Sequence, residues 1–329
     1  MSIRPRRNRK SPAVRSLVQE CSLSAQDFIY PLFIHEGSDD QDIASMPGCK
    51  RWSLKGLVQE AKEAHELGVP AIVLFPAIEE SKKTPHAEES HNDDGLVPRA
   101  IKALKAEIST LTVMTDVALD PYNSDGHDGI VVANSQGEVE ILNDETVDVL
   151  CEQALSHARA GADIVSPSDM MDGRVGAIRE ALDEAGFINV SIMSYSVKYA
   201  SAYYGPFRGA LDSAPKAGDK KTYQMDFHNV KEALLEIELD ESEGADFVMV
   251  KPAGAYLDVI KTVYENTALP VAAYQVSGEY LMIKAAAKDG WLDEEKVAYE
   301  SLVAIKRAGA QIILTYFAKQ MALLFSNSK

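Results

Sequence analysis

One joint recurs along this chain. A helical stretch ends in glycine, and an apolar run begins within a few residues. Arg159-Ala-Gly-Ala-Asp163, Glu243-Gly-Ala-Asp246 and Arg307-Ala-Gly-Ala-Gln311 carry it, with Leu67-Gly-Val-Pro70 and Ala185-Gly-Phe187 as variants. Glycine just past a helix accepts the left-handed conformation that closes it. Repetition of helix, glycine and strand is the mark of successive βα units. The runs predict strands at Phe28–Ile34, Ala71–Pro76, Thr112–Leu119, Asp163–Ser168, Ser191–Ser196, Phe247–Pro252, Pro270–Ser277 and Ile312–Phe317. Each is short and continuously apolar at its centre, as suits a parallel sheet buried on both faces. Between them lie helical periods, such as Leu54, Leu57, Val58 and Ala61. The predicted class is α/β, a closed (βα)8 TIM barrel. An open doubly wound sheet is the alternative, weakened because no Gly-x-Gly-x-x-Gly follows a strand. A P-loop and a Gly-x-Ser-x-Gly elbow are absent too.

Charge narrows the function. The 33 Lys and Arg stand against 50 Asp and Glu, a net charge of −17. That excludes the broad basic surface a nucleic-acid partner requires. No apolar run approaches the roughly 18 residues of a membrane span. No apolar core follows the basic N-terminus, so a secretory signal is not expected and a cytoplasmic enzyme is. Cys21, Cys49 and Cys151 are scattered, which disfavours disulfides and a thiolate zinc site. The basic residues Arg4, Arg6, Arg7, Arg9, Lys10 and Arg15 precede the first acid, Glu20. A disordered tail, a transit-like segment and an arm on an acidic neighbouring subunit are all compatible with that. The subunit arm is preferred, because Pro5, Pro12, Val14, Leu17 and Val18 give it something to dock. The expected organisation is an extended N-terminal arm over 1–27 and one catalytic barrel over 28–329.

Chemistry in such a barrel sits where strands end. Two long connections follow strands there. Asp120–Leu142 contains a predicted hairpin, Ile130–Asn134 with Glu138–Leu142. Lys198–Asn229 has no helical period and reads as a lid, about 199–229. Lys251 ends Phe-Val-Met-Val-Lys, and Lys198 ends the neighbouring strand. Adjacent strands lie about 4.8 Å apart, so the two amines can approach. A second cation and desolvation both lower an ammonium pKa, and a neutral amine attacks carbonyls to form a Schiff base. The structural alternative is that each lysine pairs with a carboxylate or snorkels to the rim. Lid cations suit a carboxylate substrate. Asp116, Asp120, Asp125 and Asp128 cluster after strand three, which suits either a hard cation or ordinary turn formation.

Longer motifs then add a resemblance. Ser194-Tyr-Ser-Val-Lys-Tyr-Ala-Ser-Ala-Tyr-Tyr-Gly-Pro-Phe-Arg208 and Met249-Val-Lys-Pro-Ala-Gly-Ala-Tyr-Leu-Asp258 resemble the two lysine motifs of the porphobilinogen synthase (5-aminolevulinate dehydratase) family. Arg4-Pro-Arg-Arg7, Tyr30-Pro-Leu-Phe33, Ser166-Pro-Ser-Asp-Met-Met-Asp-Gly-Arg174 and Ala273-Tyr-Gln-Val-Ser-Gly-Glu-Tyr280 match as well. The resemblance implies condensation of two 5-aminolevulinate molecules to porphobilinogen with loss of two waters, and no organic cofactor. It implies a homo-oligomer, usually an octamer, whose arms embrace neighbours. By motif, Lys251 would form the P-side imine and Lys198 the A-side imine. Ser277 and Tyr316 would hold the P-side carboxylate, and Arg208 and Lys221 the A-side one. Asp116, Tyr195, Phe207, Gln224 and Tyr274 would line the site.

Zinc-dependent members carry three cysteines after strand three, where this chain has Ala118, Asp120 and Asp128. That places it with the aspartate-rich, plant-like branch. Active-site zinc is not expected, and any cation at Asp120 and Asp128 would be hard and weakly held. The family's allosteric magnesium would fall on Glu236, with Asp169 orienting a metal-bound water in a neighbouring subunit. Two rivals stand beside this reading. A Schiff-base barrel lyase of the class I aldolase kind needs only one lysine. A non-catalytic, magnesium-dependent assembly module needs none.

Overall fold

The computed structural model describes residues 2–211, 213 and 215–327. Met1, Asp212, Ala214, Ser328 and Lys329, which fall in the expected arm, lid and barrel ranges, lie outside the described residues. Eight parallel strands form the barrel: β1 (Phe28–His35), β2 (Ala71–Ala77), β3 (Thr112–Val117), β4 (Ile164–Pro167), β5 (Ser191–Lys198), β6 (Phe247–Lys251), β7 (Val271–Gln275) and β8 (Ile312–Thr315). Each pairs with the next, and β8 returns to β1 through Phe28↔Ile313 and Ile29↔Leu314. The fold is the (βα)8 barrel that the strand count predicts.

Alternation along the strands divides the core. Leu32 and Ile34 pack with Leu57, Ala61 and Leu74 beneath helix Leu54–Glu66. Phe33, between them, stacks instead on Tyr316 at 5.9 Å and meets Phe75 tilted at 6.0 Å. The glycine joints take the expected conformation, with φ of 104° at Gly161 and 97° at Gly244. Among the described residues no helix is long and apolar enough to cross a membrane.

Two expectations need correction. The arm is not simply extended: Pro5–Arg9 is a 3-10 turn and Pro12–Leu17 a short helix. Proline opens that helix, and Ser11 caps it by accepting the Val14 N–H at 3.3 Å. Neither segment buries a residue. The lid is not free of helix either, because Ala202–Tyr204 is a 3-10 turn and Gly205–Leu211 an α-helix. With two glycines and a proline in seven residues, that helix has little propensity of its own. It packs on helix Ser277–Lys288, which supplies what the local sequence lacks. The hairpin forms as expected, Ile130–Ala133 against Val139–Leu142.

Candidate active site

The ends of β5 and β6 bring the two lysines together. Lys198 and Lys251 are register partners on these neighbouring strands. Both are buried. Lys198 donates to the Ser168 carbonyl and lies 3.5 Å from Asp128 Oδ1. Lys251 is enclosed by rings: its Nζ lies 4.9 Å from the Tyr195 and Tyr274 centroids, 5.2 Å from Tyr204 and 5.3 Å from Phe207. Burial, and after it the Lys198 charge, push Lys251 down to about 7 against the pull of Asp116, Asp120 and Asp128. A lysine so placed is substantially a free amine at neutral pH. Burial also pushes Asp116 up to about 7, opposed by the two lysines. Asp116 Oδ1, Tyr195 Oη and Gln224 Oε1 are buried without protein hydrogen-bond partners.

The lid closes over this floor. Phe207 meets Phe75 edge-on at 5.2 Å. Its backbone N–H donates to Ser277 Oγ at 3.0 Å, and that hydroxyl donates to the Tyr203 carbonyl at 3.4 Å. The Tyr316 and Tyr274 hydroxyls share a hydrogen bond of 2.8 Å. Asp116, Asp120, Asp128, Lys198, Lys251 and Arg208 line one cleft with Phe207 and Gln224.

The lid cation differs from the expected one. Lys221 is exposed and pairs with Asp219 at 3.4 Å. Lys220 instead enters the cleft, 2.6 Å from Asp128 and 3.4 Å from Asp120. Burial acts against its charge, but the two carboxylates outweigh that and raise its pKa. Asp128 gains reciprocally. Burial would raise its pKa, yet Lys198 and Lys220, with a 3.0 Å bond from the Tyr223 hydroxyl, hold it well below the usual carboxylate range. The carboxylates offered to a cation are therefore already bridged by lysine ammonium groups.

Glu236 lies elsewhere, in a surface pocket with Asp172, Glu232 and Asn229. Burial, with Asp240, Asp172 and Glu232 and against Arg174, pushes its carboxyl up to about 7. Asp169 does not join it. That side chain turns inward, accepting the Met171 N–H at 2.7 Å with Arg174 at 3.8 Å. Among the described residues, no group of three or more His, Cys, Asp or Glu side chains converges as a metal site.

A sequence model of one family, described as delta-aminolevulinic acid dehydratase, matches residues 2–324. The chain belongs to the delta-aminolevulinic acid dehydratase family. It is similar to the chloroplastic enzyme of Physcomitrium patens, 59% identical over 98% of this chain and 74% of that one. Similarity to chloroplastic dehydratase 1 of Arabidopsis thaliana is 58%, over all of this chain and 76% of the other. The solved dehydratase of Toxoplasma gondii ME49, in complex with the product porphobilinogen, superposes with a TM-score of 0.97 at 52% identity, covering 100% and 93% of the two chains. As a member of this family, the chain is an enzyme of porphobilinogen synthesis from two 5-aminolevulinate molecules, within tetrapyrrole biosynthesis. The plant-type relatives fit a non-zinc dehydratase.

These names correct the cytoplasmic expectation, because the plant relatives are designated chloroplastic. The expectation rested on a missing apolar core behind the basic N-terminus. Plastid transit segments carry no such core, so that test does not detect them.

Proposed function

We propose that Lys251 and Lys198 both form imines in this synthesis. The observation that carries the reading is their pairing: one amine sits in a desolvated aromatic enclosure, directly across from a second cation. Imine formation needs the amine of each lysine without its proton: the nitrogen adds to a substrate ketone, and water leaves as the C=N bond forms. Lys251 serves the P-side substrate and Lys198 the A-side substrate. Ser277 and Tyr316 take the P-side carboxylate, at the place where Ser277 now receives the lid's N–H. Arg208 takes the A-side carboxylate with Lys220, in place of Lys221. Arg208 has no side-chain partner among the described residues, which supports a role toward a ligand. Asp116, Tyr195, Phe207, Gln224 and Tyr274 wall the reacting atoms from water. Asp116, near neutrality in its proton affinity, is suited to move a proton beside Lys251.

The regulatory reading is magnesium at Glu236. A raised carboxylate among further acids fits a hard divalent cation that keeps most of its waters. Magnesium would supply charge neutralisation there, away from bond making. The organisation we propose is an arm over 1–27 and a barrel over 28–329, with the arm reaching a second copy in a homo-oligomer, an octamer by family resemblance. Ile3, Leu17 and Val18 are 80%, 84% and 50% exposed, which supports a partner for the arm beyond its own barrel. For location we carry the plastid of the named relatives.

Borohydride reduction with 5-aminolevulinate, with and without chelator, followed by peptide mass spectrometry, tests the reading. Adducts on Lys251 and Lys198 that persist under chelator are expected. No adduct on either lysine would overturn it, and an adduct on Lys251 alone would favour a one-lysine lyase.

A further inference from the structure

Glu279 is a carboxylate that the chemistry above does not use. It stands two residues beyond Ser277, at the third position of helix Ser277–Lys288. Three backbone N–H groups donate to it. Val276 does so at 2.7 Å and Ala253 at 3.3 Å, both to Oε2, while Gly254 donates to Oε1. Burial pushes the carboxyl up to about 7 even though all three donors pull the other way.

A helix cap explains only part of this. Glutamate at the third position commonly receives the N–H just before its helix, and the Val276 bond is of that kind. The Ala253 and Gly254 bonds are not. They come from the segment immediately after Lys251, on a different βα loop. Gly254 is fitted to the contact: a Cβ there would lie 2.6 Å from Glu279 Oε1. One carboxylate thus ties the residues following Lys251 to the residue preceding Ser277.

We propose that Glu279 is a positioning residue, whose carboxylate holds the Lys251 segment and the Ser277 turn at one fixed separation, so that a single keto acid spans amine and hydroxyl. The inference rests on the proposed roles of Lys251 and Ser277. It concerns geometry and not the charge on Lys251, which burial first, and then Lys198, Asp116, Asp120 and Asp128, govern. Misplacement of about 1 Å in such a pair costs on the order of 100-fold in rate.

The test compares two probes trapped on Lys251 by borohydride and measured by peptide mass spectrometry across pH. Levulinate carries ketone and carboxylate; 2-pentanone has the same chain without the carboxylate. In the unaltered enzyme, levulinate should trap faster. In Glu279→Gln, the levulinate rate should fall roughly tenfold or more, the scale of a lost charge-assisted contact. The 2-pentanone rate and the pH midpoint of both reactions should stay in place. Gly254→Ala disturbs the same contact while keeping the carboxylate, and it should give the same selective loss. It decides the matter if Glu279→Gln does not fold. Retained preference for levulinate in a folded variant overturns the inference, as does equal loss of both probes with a moved midpoint. An unaltered enzyme with no Lys251 adduct, or no preference for levulinate, would instead fail the reading of the site and take this inference with it.

Discussion

Lys198 and Lys251 face each other across β5 and β6, yet among the described residues only Lys198 of the two forms a carboxylate ion pair, with Asp128. Asp128 and the Ser168 carbonyl hold Lys198, whereas Lys251 has four aromatic rings around its amine. Two chemically identical side chains at one register position therefore differ in readiness to attack. The asymmetry comes from what each neighbouring loop supplies.

Lys251→Met should abolish turnover, by on the order of 10⁴-fold or more, the scale of losing a covalent nucleophile. The aromatic enclosure accepts Met, so circular dichroism and melting should be little changed. Near-normal turnover in this variant would remove Lys251 from the mechanism.

Imine trapping on Lys251 should show an acid limb centred near pH 7, because attack needs the free amine and burial with Lys198 depresses its pKa to about 7. Lys198→Met removes a cation that lowers this value and leaves Asp116, Asp120 and Asp128, which raise it. The limb should move to higher pH. A midpoint that stays put would mean that burial alone sets it.

Lys220 and Lys221 should separate cleanly. Lys220→Ala leaves Asp120 and Asp128 short of a buried counter-ion, so stability should drop by about 3–5 kcal/mol and KM should rise. Lys221→Ala, at an exposed pair, should change stability by less than about 0.5 kcal/mol. Denaturant melts and steady-state kinetics on both variants measure the difference. Equal effects would return the lid cation to Lys221.

Stability should fall in acid through Asp128. Its folded pKa is held below the ordinary carboxylate value of about 3.9. The stabilisation is thus fully present above that value and lost as pH falls toward the folded pKa. Asp128→Asn should be less stable than the unaltered enzyme at pH 7, and the gap should narrow by pH 3. Denaturant titrations at the two pH values read this directly, and a gap that does not narrow contradicts it.

Gly278→Ala should loosen the lid without unfolding the barrel. A Cβ there would lie 2.9 Å from Tyr203 Cα, so lid backbone must shift. KM should rise, and limited proteolysis should cut the lid faster at nearly unchanged melting temperature. Protection equal to the unaltered enzyme would show that the lid absorbs the methyl.

The barrel is legible because each strand is an apolar run and five of the eight follow a glycine joint. Those signals are local, and all eight strands appear where the runs stand. The lysines are legible for the same reason, since a lysine at the end of an apolar strand is conspicuous. Helix Gly205–Leu211 is not, because its support comes from helix Ser277–Lys288, far along the chain. Lys220 and Lys221 cannot be told apart in a loop without period; carboxylates from the strand-three loop decide which one turns inward. Asp169 looks available for a metal-bound water, but Arg174 and the Met171 N–H claim it inside the fold. Glu279 reads as an ordinary cap, and its bonds to Ala253 and Gly254 appear only in three dimensions.

The seam between β8 and β1 sets when this protein can be finished. Phe28 and Ile29 wait for Ile313 and Leu314, nearly the whole chain later. During synthesis the ribosome releases β1 first and β8 last, so the ring stays open until translation is almost complete. Throughout that interval the Phe28–Ile29 end of β1 and the newest strand present unpaired edges, the kind of surface that recruits other chains, while Lys50–Trp52 already covers Phe33 and Ile34. Truncation just before Ile312 would leave seven strands with correct local signals and no way to close them.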